Sequence, residues 1–127
     1  MKLSRSALTA LLSKNAAEIK FIRRRPHAGD LPTRRMLATN DTILLNSSAG
    51  RTALNFRPAT GNLQFNPTTR NLVLTWDIMM QDYRLVPADS VEVVSVIPTT
   101  PPEKFWEYFS EVLSKMTPGE KTRFMNR

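Results

Sequence analysis

The sequence predicts a mainly β domain of the α+β class, on three observations. Residues 71–96 follow the two-residue rhythm of strands and read as three short strands joined by two tight connections. Residues 17–39 read as two basic strands around a Pro/Gly loop. Helical spacing is confined to the two ends, at 3–14 and 101–116. In the central stretch, Leu72, Leu74 and Trp76 alternate with Val73, Thr75 and Asp77. Tyr83 and Leu85 alternate on a second strand, and Val91, Val93 and Val94 to Val96 make a third, more apolar one. Three strands cannot bury their apolar faces alone, so the rest of the chain must close over them.

Leu3, Ala7, Leu8, Leu11 and Leu12 recur at three- and four-residue spacing, which makes residues 3–14 an amphipathic helix. Ser4 or Ser6 can cap its start, and Asn15 can end it in a left-handed conformation. The apolar stripe predicts packing on the strands; a membrane surface or a partner helix is the alternative. Residues 17–25 follow as a strand, with Ile19 and Phe21 on one face and Glu18, Lys20 and Ile22 on the other. Gly29-Asp30 marks the turn, and residues 33–39 return as its partner. The arms carry Arg23, Arg24, Arg25, Arg34 and Arg35. If they pair about the loop, these guanidinium groups meet near one end and repel one another unless an anion lies between them. The plainer reading is a solvated edge on which arginine guards against aggregation.

Residues 40–70 form an irregular insertion. Residues 41–45 fit one helical turn or a short strand. Leu54, Phe56, Leu63 and Phe65 alternate about Gly61-Asn62, a loose hairpin over 52–57 and 62–66. Phe56 and Phe65 suit base stacking, and core anchoring more simply. Residues 87–89 fit one 3₁₀ turn. Pro98 to Pro102 is a stiff break that divides a body, 1–98, from a helical extension, 99–127. Thr100 and Glu103 have capping-box spacing and Pro101 takes the first helical position, so a helix should run from Pro101 to about Met116. Phe105, Phe109, Val112 and Met116 share its stripe. Trp106 and Leu113 widen the stripe, and Tyr108 extends the aromatic surface. Thr117 to Glu120 repeats the capping logic before a last short helix, Glu120 to Asn126.

With 127 residues the chain is long enough for one compact domain. It lacks an apolar run of the roughly 18 residues that a membrane span needs. Cysteine is absent, which excludes disulfides and thiolate metal sites and suits a reducing interior. Residues 1–17 carry Lys2, Arg5 and Lys14 with no acid before Glu18, a composition that resembles a mitochondrial presequence; a short amphipathic helix on a small domain is the simpler reading. The formal charge is +7 and is unevenly spread. Residues 1–35 carry a net +7, whereas residues 71–100, with Asp77, Asp82, Asp89 and Glu92 against Arg84, carry −3. Such a basic zone suits a polyanion, most often nucleic acid.

Catalytic chemistry finds little material. His27 is the sole histidine, so a multi-histidine metal site is excluded, and a Ser-His-Asp triad would need it from a Pro/Gly loop. No Gly-rich phosphate loop is present. Asp77, Asp82, Asp89 and Glu92 can act as acid/base groups or hold a hard cation, but their places at strand ends suit turn capping better. The chain is expected to be no enzyme and to need no cofactor.

Two blocks carry a resemblance. Residues 18–39 (Glu-Ile-Lys-Phe-Ile-Arg-Arg-Arg, then Thr-Arg-Arg-Met-Leu-Ala-Thr) and residues 72–94 (Leu-Val-Leu-Thr-Trp-Asp, Asp-Tyr-Arg-Leu-Val, Asp-Ser-Val-Glu-Val-Val) resemble the small WYL-like proteins encoded by tailed phages. The resemblance implies a Sm-like small β-barrel of about five strands, a phage origin and a location in the host cytoplasm. It matches Arg34, Trp76, Asp77, Tyr83 and Arg84 by position, with Tyr83 and Arg84 as the binding face. The insertion at 40–70 and the helix at 101–116 depart from the family pattern and put any shared partner in doubt.

Two functions are therefore expected. In the first, the protein is a nucleic-acid-binding phage accessory or regulatory factor. Arg23, Arg24, Arg25, Arg34 and Arg35 contact phosphates, and Tyr83 and Arg84 contact bases. DNA and RNA are both open. In the second, Phe105, Trp106, Tyr108 and Phe109 dock the C-terminal helix into a host or phage protein, or into a second copy of the chain.

Overall fold

The computed structural model describes residues 2–24, 28–29, 31–47 and 67–125. Helix α1 (Arg5–Lys14) leads directly into strand β1 (Asn15–Ile22), and β2 (Thr33–Thr39) returns beside it. A short helix α2 (Thr42–Asn46) follows, then a 3₁₀ turn at Pro67–Arg70. Strands β3 (Leu72–Asp77), β4 (Asp82–Pro87) and β5 (Glu92–Pro98) complete one sheet before helices α3 (Pro102–Lys115) and α4 (Pro118–Met125). The sheet is antiparallel with strand order β4-β3-β2-β1-β5. Its outer strands are β4 and β5. Among the described residues no strand pairing joins these two, so the sheet is open.

Local chemistry explains most boundaries. Ser4 caps α1, its Oγ accepting from the Ala7 amide at 3.2 Å. Asn15 does not end the helix in a left-handed turn as expected. It is extended, because the sheet recruits it: Asn15 pairs with Pro98, and its carbonyl accepts from Thr39 Oγ1 at 3.0 Å. Gly29 does take the positive φ of a turn, at 91°. The 41–45 stretch resolves as helix, with Asp41 Oδ1 capping the amides of Ile43 and Leu44. Residues 88–90 make a plain turn in place of the expected 3₁₀. The third helix starts at Pro102, one residue later than the capping pattern suggested, whereas Thr117 Oγ1 does accept from the Glu120 amide at 3.2 Å. The proposed hairpin at 52–57 and 62–66, with Phe56 and Phe65, lies outside the described residues, as do Arg25 and His27.

The sheet is a wall between two cores, because strand alternation sends neighbouring residues to opposite sides. Ala17, Ile19 and Phe21 of β1, Met36 and Ala38 of β2, Val73 and Val86 pack with Leu8 and Leu12 of α1. Ala16, Leu37, Trp76, Ile78 and Met79 pack on the other side with Leu44 and Leu45 of α2 and Phe105, Trp106 and Phe109 of α3. Helix α3 is thus built into the same body as the sheet.

A buried polar knot ties the ends of the elements together. Asp41 caps α2 with one carboxylate oxygen and accepts from Thr99 Oγ1 with the other, at 2.6 Å. Thr99 also reaches the Lys14 carbonyl, and Thr39 Oγ1 accepts from the Asp41 amide. The Asn40 amide donates to Leu12 O at 2.9 Å, and Trp106 Nε1 to Leu44 O at 2.9 Å. The knot joins α1, β2, α2 and the segment that leads to α3. Asp41→Ala removes a helix cap and a buried bond to an ionised acceptor, and should cost about 2–4 kcal/mol, read as a lower urea midpoint at unchanged slope. Thr99→Val should cost about 1–2 kcal/mol.

Candidate nucleic-acid interface

The hairpin places its arginines as the pattern suggested and then uses most of them internally. Phe21 pairs with Arg34 and Lys20 with Arg35, and the Arg23 amide extends the ladder to Pro32 O at 2.7 Å. The two arginine groups therefore meet near the loop end. Each of the described ones has its own acceptor. Arg34 Nη2 donates to Asp77 Oδ2 at 2.6 Å, Arg35 Nη1 to Glu18 Oε1 at 2.8 Å, and Arg24 Nη2 to Asp89 Oδ1 at 3.0 Å. Arg23 Nη1 donates to the carbonyls of Leu31 and Thr33. On β4, Arg84 Nη1 donates to Asp82 Oδ2 at 2.9 Å.

Two of these bridges, Arg24–Asp89 and Arg34–Asp77, run between the basic hairpin and the acidic meander. Segments of opposite charge in the chain thus neutralise one another in the fold. Sequence reading missed the pairing because it is set by register. Asp77 lies opposite Ala38 and shares a face with Arg34, and that alignment appears only once β2 and β3 pair.

Parity decides which residues can act together. Arg34 lies on the first-core side of β2 with Met36 and Ala38. Asp77 shares that side with Val73, and Arg84 shares it with Val86. Tyr83 projects to the opposite side, where its ring meets Trp76 edge-on at 5.1 Å beside the second core. The expected pairing of Tyr83 and Arg84 on one binding face is therefore not what β4 presents.

Asp77 organises this corner. Its Oδ1 accepts from the amides of Met79 and Met80, both at 3.1 Å, which shapes the β3–β4 turn that Gln81 closes at φ 56°. It is 1% exposed and Arg34 13%. Burial raises the Asp77 pKa, and the turn amides, Arg34 and Arg84 only partly offset it. Burial likewise lowers the Arg34 pKa, opposed by Asp77 and reinforced by Arg84 and Arg23. The exposed Asp82 and Asp89 behave oppositely: hydrogen bonds from Arg84 and Arg24 respectively hold their pKa values down.

The aromatic helix faces inward. Phe105, Trp106 and Phe109 are buried in the second core, with Phe105 and Phe109 stacked at 4.6 Å. Tyr108, 64% exposed, and the partly exposed Val112 remain at the surface. Among the described residues, no group of three His, Cys, Asp or Glu side chains could hold a metal ion, and no helix is long and apolar enough to cross a membrane. No family model matches the chain, and neither a curated protein nor a solved structure matches it.

A carboxyl NMR titration should separate the acids. Asp77 should protonate above the ordinary aspartate value, and Asp82 and Asp89 below it. As pH rises from the ordinary value through the raised value of Asp77, its ionisation should subtract from stability. As pH falls from the ordinary value through the lowered ones, the contributions of Asp82 and Asp89 should fade. An Asp77 that titrates together with the other two would contradict this.

Proposed function

We propose that this chain is a non-enzymatic nucleic-acid-binding protein, a phage accessory or regulatory factor of the small WYL-like kind. The observation that carries the reading is the gathering of Arg23, Arg34 and Arg84. Both neighbours are near enough to Arg34 to lower its pKa, and Arg34 and Arg84 bond Asp77 and Asp82 respectively. Three arginines thus stand together in a chain of net charge +7. The arginines divide in role. Arg34 and Arg35 hold strands together. Arg24 and Arg84, with side chains 40% and 34% exposed, have N–H groups left to meet phosphates. A Sm-like small barrel of about five strands suits the same reading, with β4 and β5 as the strands that would close it.

Among the described side chains of α3, a protein-docking role draws support from Tyr108 and Val112, since the chain's own core covers Phe105, Trp106 and Phe109.

Labelled single- and double-stranded DNA and RNA, titrated at two salt concentrations, test the proposal. Binding should weaken steeply with salt. Arg24→Ala and Arg84→Ala should each weaken it about three- to tenfold and lower the salt slope by about one. Arg35→Gln should change affinity by less than about twofold, because Arg35 spends its charge on Glu18. No binding to any of the four at low salt would sink the proposal.

A further inference from the structure

The two outer strands of the sheet differ in how their free edges are guarded. In an antiparallel ladder, successive residues turn their N–H and C=O groups alternately to one neighbour and to the other. The Arg23 amide continues the β1–β2 ladder to Pro32 O, so Phe21, Ile19 and Ala17 turn to β2, and Glu18 and Ala16 turn to β5. Ser95 and Ile97, opposite Glu18 and Ala16, therefore turn to β1, and Val96 turns its N–H and C=O outward. Val94 falls at the register shift and pairs with no residue of β1. Among the described residues no strand lies on this side of β5, and no side chain bonds Val94 or Val96. On β4, the Ala88 amide bonds Asn71 O, and the same alternation turns Tyr83, Leu85 and Pro87 outward. There both Tyr83 groups are held, the amide by Asp82 Oδ1 at 2.8 Å and the carbonyl by Arg84 Nη1 at 3.0 Å. Pro87 has no N–H to offer.

Natural sheet edges are commonly protected by charge or proline. From Val94 to Ile97, β5 has neither. Val94 is 45% exposed and Val96 43%. Val96 lies opposite Ala17, on the first-core side of the sheet, and Val94, two residues away, shares that face. An uncharged, valine-rich edge with outward backbone groups fits another extended strand. The β5 strand of a second copy is self-complementary to it. Run antiparallel about a two-fold axis at Ser95, Val94 of each copy faces Val96 of the other, and the exposed valines meet on one face. Pro98, which lacks an N–H, then falls at the margin opposite Glu92. The β4 strand of a second copy would offer Leu85 alone.

We infer that two copies of this chain associate through β5, antiparallel, and so join their five-stranded sheets into one. The inference does not draw on the nucleic-acid reading. The contact is short, below the roughly 800 Å² on each partner of a stable interface, so the association is weak and reversible.

Sedimentation equilibrium of the full chain, without nucleic acid, should show monomer passing to dimer between about 10 μM and 1 mM. Val96→Lys puts charge on the shared edge and should raise the dissociation constant more than about tenfold. Tyr108→Ala, on the exposed side of α3, should change it less than about twofold. Thermal melts of Val96→Lys at low concentration should match wild type, because this side chain lies outside the core. The chain has no cysteine, so Ser95→Cys gives a second reading. At the axis the two copies of residue 95 form a non-hydrogen-bonded pair with Cα atoms about 4.5 Å apart, within reach of a disulfide. This variant should oxidise to a linked dimer at least about tenfold faster than Tyr108→Cys. A monomer throughout, as a barrel closed between β4 and β5 would give, overturns the inference. So does a dimer that withstands Val96→Lys, or linkage no faster at position 95 than at position 108.

Discussion

The fold depends on a short seam across the middle of its sheet. Strands β1 and β2 pair along their length, as do β3 and β4, and β5 runs beside β1. Strands β2 and β3, which join the two halves, are registered only at Ala38 with Asp77 and at Thr39 with Trp76. The ladder stops on one side because Asn40 turns away to bond the end of α1. On the other side it gains one further bond, Ile78 N to Leu37 O, before the β3–β4 turn departs. Side chains then do what the backbone does elsewhere. Arg34 reaches Asp77, Thr75 Oγ1 donates to Thr39 O at 3.2 Å, and Asn40 Nδ2 donates to Leu74 O at 2.9 Å.

The seam has a functional consequence. A buried ion pair is a weak source of net stability, because desolvation offsets much of its attraction, but it is strict about geometry. Here it fixes where the hairpin meets the meander, and so brings Arg23 and Arg84 beside Arg34. In the proposed nucleic-acid reading, the arginine committed to structure thus positions Arg84 for contact. Nearby charge pairs fill in accordingly: Arg84 with Asp82 beside it, and Arg24 of the hairpin with Asp89 in the β4–β5 turn.

Periodicity made much of the fold legible. The alternation of Leu72 to Asp77, the span 33–39 and the leucine stripe of α1 all lie where the sequence placed them. Boundaries shifted where a distant partner intervened, as when Pro98 drew Asn15 into β1. The candidate site was less legible. Charge counting located the basic hairpin but could not assign Glu18, Asp77 and Asp89 to their arginines, since that depends on strand register and on which residues share a face. The aromatic residues of α3 carried a further ambiguity: the same stripe serves a partner or the protein's own core, and only the position of α2, with Leu44 and Leu45, settles it.

The Arg34–Asp77 bridge couples the two halves of the sheet. A double-mutant cycle in urea with Arg34→Met, Asp77→Asn and the double variant measures this directly. Asp77→Asn keeps an oxygen for the Met79 and Met80 amides, so the turn survives while the charge is lost. The account predicts a coupling of about 1.5 kcal/mol or more, in the upper part of the range for residues in contact. Single effects that add within about 0.5 kcal/mol would contradict it, because they would mean that the two charges stand side by side without holding the seam.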